Sequence, residues 1–278
     1  MKLGDIEIHV VSDGHVLLDG GAMFGVIPRP MWEKKMEPDP RNRITLAMNC
    51  LVIRANGKTI LVETGAGGKM NAKLRDIYGL DGPFLLDGLQ KLDLRAEDIN
   101  IVVNTHLHFD HCGGNTRLVG DEAVPTFPNA HYLVQVGELD HALHPTERDH
   151  ASYIPANFAP VGAAGLLDAL EGEHIVTPGV ELIRVPGHTE HMQCVKITSG
   201  EKTAFFFADL VPTTAHLPIP WIMGYDLFPM TTLENKKRWI PEAIREGWIA
   251  LFAHDPVVKA AYLRNRDGNW EAEPVSID

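Results

Sequence analysis

Asn104–Asn115 reads NTHLHFDHCGGN, with three histidines and an aspartate crowded between His106 and His111 and two glycines just beyond. The apolar run INIVVN leads into it, so the cluster sits where a strand gives way to a loop. In extended backbone successive side chains point to opposite faces, which puts His106 and His108 on one side. If the chain then turns into a helix, Asp110 and His111 swing toward a neighbouring point. That geometry provides two adjacent metal positions, one per pair. Gly113 and Gly114 let the backbone bend tightly beside them. A solvated loop has no use for such crowding, and the pattern is rare by chance.

Further ligands are needed, and three follow predicted strands. His188 lies in VPGHTEH, just after ELIRV. Asp209 ends TAFFFAD, where a carboxylate after an apolar run needs a strong partner. His254 ends WIALFAH in the same way. Together with the cluster these complete two sites of four or five ligands each. Cys112, beside His111, reads as a small residue packed under the loop rather than as a ligand.

The bulk of the chain is that of a soluble globular protein: 278 residues, 45% hydrophobic and 22% charged, with a formal net charge of −12. The acidic balance argues against a nucleic-acid partner. No apolar stretch reaches the roughly 20 residues of a membrane-spanning helix. The opening MKLGDIEIHV lacks the apolar core of a signal peptide, and the three scattered cysteines form no disulfide framework, so a reducing cytoplasm is expected.

Strands are predicted at 6–11, 50–55, 58–64, 99–105, 130–136, 180–185, 193–198, 203–209 and 248–254. Helices are predicted at 83–92, around 137–145, at 161–173 and at 232–247, with Pro241 breaking the last or restarting it. Strands and helices alternate irregularly, which favours a layered α/β sandwich of mixed sheets in a single domain spanning 1–278. Residues 19–45 are glycine- and proline-rich and too long for a plain connection. They are expected to form an N-terminal lid loop whose Met23, Phe24, Ile27 and Trp32 wall a substrate pocket. The alternative is that these side chains pack against a partner subunit in a homodimer, and a dimer could also build the pocket. Residues 138–172 are expected to form a helical insertion.

Through THLHFDHCGGN, PGHT, FFFAD and LFAHD, in that order, the sequence resembles the metallo-β-lactamase superfamily. The resemblance implies a four-layer αβ/βα sandwich, two mixed β-sheets flanked by helices, with a two-metal site at one edge. It implies that His106, His108 and His188 serve one metal, that Asp110, His111 and His254 serve the other, and that Asp209 bridges them. The ions are expected to be zinc, with Mn, Co or Fe compatible with the same donors. Two departures stand out. The family's DTG is here Glu63-Thr64-Gly65, so Glu63 is expected to orient ligand histidines with one extra methylene. The family's GHTPGH is here GHTEHM, which moves the second histidine to His191 and leaves His188 in place.

Two divalent metals roughly 3.5–4 Å apart activate a bridging water that attacks a carbonyl or phosphoryl centre. No GxSxG elbow offers a nucleophilic serine. Within the superfamily, the spacings of His111, His188, Asp209 and His254 are most similar to the lactonase and esterase branch. Asp110 and Asp209 are the expected catalytic carboxylates, acting on a small-molecule substrate with an apolar portion. Many lactonases place a tyrosine three residues after the bridging aspartate. Pro212 stands there, leaving His216 or Tyr225 to supply a hydrogen bond. A phosphotriesterase-like hydrolase and an iron-dependent oxygenase or redox enzyme are the alternatives on the same ligands.

Overall fold

Strand alternation sets the layers. In the stretch Leu51-Val52-Ile53, Leu51 and Ile53 point into the apolar layer between two sheets, while Val52 points to the opposite face. The computed structural model describes residues 1–277. Its first half supplies β1 (Lys2–Leu3), β2 (Ile6–Asp19), β3 (Arg43–Ala55), β4 (Lys58–Val62) and β5 (Ile101–Val103). A separate hairpin of β6 (Thr116–Val119) and β7 (Glu122–Pro125) precedes β8 (His131–Gln135) and β9 (Leu167–Leu170). Next come β10 (His174–Thr177), β11 (Val180–Arg184), β12 (Gln193–Ser199) and β13 (Lys202–Phe206). The last strands are β14 (Ile249–Leu251), β15 (Ala260–Arg266) and β16 (Asn269–Pro274).

One seven-stranded sheet has the order β1-β2-β3-β4-β5-β8-β9, antiparallel through β4 and parallel from there on. The other runs β10 to β16 in sequence order, antiparallel except where β13 meets β14. Both sheets are therefore mixed. Ile8, Leu51, Ile60 and Val103 of the first pack against Leu182, Val195, Phe206 and Leu251 of the second. Each such burial contributes about 1.5–3 kcal/mol.

Helices cover the outer faces. Leu85 and Leu89 pack on Val11, Val52 and Leu61, while Trp239 stacks on Phe205, with ring centroids 5.2 Å apart. The helices are α1 (Gly20–Phe24), α2 (Arg29–Trp32), α3 (Ala72–Tyr78), α4 (Leu85–Gln90), α5 (Phe109–Cys112), α6 (Val136–Leu143), α7 (Ala159–Ala163) and α8 (Pro229–Arg245). No helix among the described residues is long and apolar enough to cross a membrane. All three cysteines are free and buried.

Several expectations need correcting. The helix predicted at 161–173 is only α7, stopped where Gly165 adopts φ +71°, and the chain then adds β9 beside β8. The open parallel edge of β8 captures a segment whose leucines read equally well as helical. Residues 138–172 are thus helical only in part. Pro241 does not break α8, which runs unbroken through it. The carbonyl that Pro241 leaves without a donor belongs to exposed Lys237, on the hydrated side. Residues 19–45 are not one long loop either. β2 reaches Asp19, β3 starts at Arg43, and α1 and α2 lie between them. Asp19 Oδ1 caps α1, accepting from Ala22 N at 2.8 Å.

Candidate metal centre

The loops after β5, β11, β13 and β14 open at one edge of the sandwich, and they bring His106, His188, Asp209 and His254 together with α5. Three groups of ligand atoms lie within 4.8 Å: His106 with His108 and His188, His106 with His111 and Asp209, and Asp110 with His111 and His254. All seven side chains are buried.

The glycines act differently from the sequence expectation. Gly113 has ordinary helical backbone angles, φ −59° and ψ −37°. A Cβ there would stand 2.1 Å from Ala66 O, and one at Gly114 would stand 2.2 Å from Thr64 O. Close packing of the histidine loop on the 64–66 turn requires them, not a tight bend.

Three of the five imidazoles have Nδ1 tied to the protein. Thr105 Oγ1 lies 3.0 Å from His106 Nδ1, Asp226 Oδ1 2.9 Å from His188 Nδ1 and Ala47 O 2.8 Å from His254 Nδ1. Glu63 Oε1 accepts from Thr105 N at 3.1 Å and stands 3.6 Å from His111 Nδ1, behind the cluster. With Nδ1–H of His106, His188 and His254 donating to Thr105, Asp226 and Ala47, their Nε2 atoms are bare, and His108 turns its Nδ1 to His188 Nε2.

These bare atoms need a cation. His254 Nε2 and His111 Nε2 are 3.0 Å apart, and His188 Nε2 is 3.0 Å from His108 Nδ1. Lone pairs repel at that range. Yet zinc–nitrogen bonds of about 2.0–2.1 Å in a tetrahedron place ligand atoms about 3.3 Å apart, close to what is seen. Buried His106 Nε2 and Asp209 Oδ1 have no hydrogen-bond partner in the protein. Orphaned polar atoms of this kind fit a divalent metal. The electrostatics divide the histidines: burial opposes a charge on all of them, but Asp209 outweighs it at His111, His188 and His254 and moves these three up. Burial and neighbouring imidazoles hold His106 and His108 well below the usual histidine range. Burial opposes the charge on Asp209, but His111, His254 and His188 outweigh it and hold the carboxyl well below its ordinary value.

A cleft of about 430 Å³ opens onto this cluster. Its floor holds His108, Asp110, His188, Asp209 and His254, and its walls include Leu18, Met23, Leu46, Tyr225 and Leu227. Of the expected wall residues, only Met23 lines it. Phe24 and Trp32 are fully buried beneath, stacked at 5.4 Å, and Ile27 packs on the same cluster. Phe24 also stacks on His216 at 4.6 Å. His216 is closed to substrate, because Nδ1 meets Thr213 Oγ1 and Nε2 meets Met23 O, each at 2.8 Å. Tyr225 does line the cleft.

Sequence reasoning missed Asp226, Ala47 O and Arg148. Arg148 Nη2 donates to Gly224 O at 2.7 Å, and Gly224 N donates to Ala22 O at 2.8 Å, which ties the insertion to α1 across the cleft mouth. Asp226 sits in GYDLF, a stretch with no periodicity to mark it.

A profile of the metallo-β-lactamase superfamily matches residues 44–254. An N-acyl homoserine lactonase of Bacillus thuringiensis is 26% identical over 231 residues, covering 78% of this chain and 84% of that one. The structure of a probable metal-dependent hydrolase from Staphylococcus aureus aligns along the whole of both chains, with a TM-score of 0.90 and 30% identity. AidC, a dizinc quorum-quenching lactonase in complex with its product N-hexanoyl-L-homoserine, shares the fold at a TM-score of 0.81. Its identity is 22%, across 99% of this chain and 96% of AidC. Since the matched span runs from β3 to the last converging histidine, the chain belongs to the metallo-β-lactamase superfamily and is a metal-dependent hydrolase.

Proposed function

We propose that this hydrolase is dinuclear and opens a lactone or related ester that carries an apolar portion. The observation that carries the reading is the place of Asp209. Its Oδ2 is 3.2 Å from His188 Nε2, and its Oδ1 is 3.2 Å from His254 Nε2 and 3.4 Å from His111 Nε2. One carboxylate thus offers an oxygen to each of two ligand groups. His106, His108 and His188 hold one ion, and Asp110, His111 and His254 hold the other. Zinc suits these donors best. When bound, two such ions acidify a coordinated water and draw charge from a carbonyl oxygen.

The chain's own side chains do the remainder. Asp110 faces the cleft with Oδ2 3.8 Å from His254 Nε2, and it carries a proton from the attacking water to the leaving alkoxide. Tyr225 lines the cleft, and its hydroxyl, protonated at neutral pH as in any ordinary tyrosine, donates to a substrate oxygen. It replaces the tyrosine that Pro212 displaces. Leu18, Met23 and Leu46 receive the apolar portion. The lactonases named above act on substrates of this build, an acyl chain beside a lactone ring, and that similarity supports the reading.

Purified protein is assayed for metal and against lactones with short and long acyl chains, aryl esters and phosphotriesters. Two zinc ions per chain with preferred lactone turnover is the expected result. Faster phosphotriester turnover, or iron with oxygen consumption, would overturn it.

A further inference from the structure

We infer that Glu138 is a positioning residue that holds the His106–His108–His188 ligand group in shape and leaves the Asp110–His111–His254 group untouched. The inference rests on the two-metal reading above.

Glu138 lies in the first turn of α6 and is fully buried. No lysine, arginine or histidine among the described residues forms an ion pair with it. A buried carboxylate is costly unless its oxygens are well hydrogen-bonded, and here each oxygen bonds to a ligand segment. Oε1 accepts from Leu107 N at 3.0 Å, and Leu107 is the residue between His106 and His108. Oε2 accepts from Thr189 Oγ1 at 2.6 Å, and Thr189 directly follows His188. Oε1 also accepts from Tyr153 Oη at 3.1 Å, and the Tyr153 ring packs edge-on against His108 with centroids 4.8 Å apart. Two loops from different sheets, one carrying Leu107 and the other Thr189, are thus clamped through one side chain. Nothing comparable runs from Glu138 to Asp110, His111 or His254. His254 is held by Ala47 O instead, and His111 Nδ1 faces Glu63 at 3.6 Å.

The clamp predicts a selective defect. Removing a group that orients metal ligands typically lowers affinity 10–100-fold. In Glu138→Ala, zinc affinity at the first group should fall by about that factor while the second group changes by less than about threefold. The wild type, Glu138→Ala, Glu138→Gln and Thr189→Val are titrated with zinc against a chelating indicator. His188→Ala and His254→Ala serve as references for each single site, and thermal unfolding of the metal-free proteins is followed alongside. Glu138→Gln keeps an oxygen for Leu107 N but presents an amide to Thr189. Thr189→Val cuts only the second half of the clamp. Both should show a smaller loss confined to the first group, and they decide the matter if Glu138→Ala does not fold. A wild type that binds fewer than two zinc ions would overturn the two-metal reading itself. With two ions bound by the wild type, equal losses at both groups, or no loss in the variants, would overturn the role of Glu138.

Discussion

His188 Nδ1 lies 2.9 Å from Asp226 Oδ1, and both side chains are buried. The carboxylate holds the proton on Nδ1 and leaves Nε2 bare, aimed at His108 and Asp209. Asp226→Ala should therefore weaken metal binding about 10–100-fold, with a matching fall in hydrolysis at limiting metal. Asp226→Asn keeps an acceptor oxygen and should lose less. Metal content after dialysis against a graded chelator checks this. Equal retention by all three proteins would remove Asp226 from the metal centre.

Met23 and Phe24 are neighbours with opposite duties. Met23 reaches the cleft, while Phe24 is packed between Trp32 and His216. Met23→Ala should raise KM for long-chain lactones more than for short ones and leave kcat nearly unchanged. Phe24→Ala empties a fully buried site and should cost about 3–5 kcal/mol of stability, whatever the substrate. Kinetics on a chain-length series and urea unfolding separate the two. A chain-length effect from Phe24→Ala in the folded protein, with none from Met23→Ala, would reverse the assignment.

What the sequence disclosed follows from how local each signal is. His106 to His111 can be read because four ligand-type residues fall in one short run, and His188, Asp209 and His254 because each ends an apolar strand. Their supports have no such mark. Ala47 acts through a carbonyl, which any residue has, and Asp226, within GYDLF, and Glu138, within VQVGEL, stand apart from the ligand motifs. The hairpin of β15 and β16 was legible in principle, since Asp267-Gly268 adopts φ +53° and +84° between alternating residues. By contrast, β9 forms only because β8 offers an edge, and no window of sequence contains that fact. Pro241 misled because the helix loses one bond where water replaces it.

Tyr225→Phe removes one hydroxyl from the cleft and little packing. If Tyr225 donates to the substrate during reaction, kcat/KM should drop about tenfold or more, the scale of one lost hydrogen bond to a charged group. Metal content should not change. Unchanged kcat/KM would leave Tyr225 as wall alone.

His216 should make the fold acid-sensitive. Burial pushes it down to about 4 in the folded protein, only partly offset by the bond to Met23 O, whereas an unfolded histidine titrates near 6.5. Above about pH 6.5 the ring is neutral in both states and stability does not depend on it. Between there and about 4 the unfolded chain takes up a proton that the folded one excludes, so stability falls as pH falls. Below 4 both states are protonated and the loss levels off at roughly 3 kcal/mol. The converging histidines also respond to acid, so the measurement is a difference. Urea unfolding of wild type and His216→Gln is compared at pH 7 and pH 4.5 with metal removed by chelator, and the shared titrations cancel. His216→Gln should be the less stable protein at pH 7, having lost a bond to Met23 O or Thr213. Its deficit should shrink, or change sign, by roughly 2–3 kcal/mol at the lower pH. A constant deficit would mean that the folded protein admits a proton at His216, and the ring would then lose its acceptor role toward Thr213 without harm.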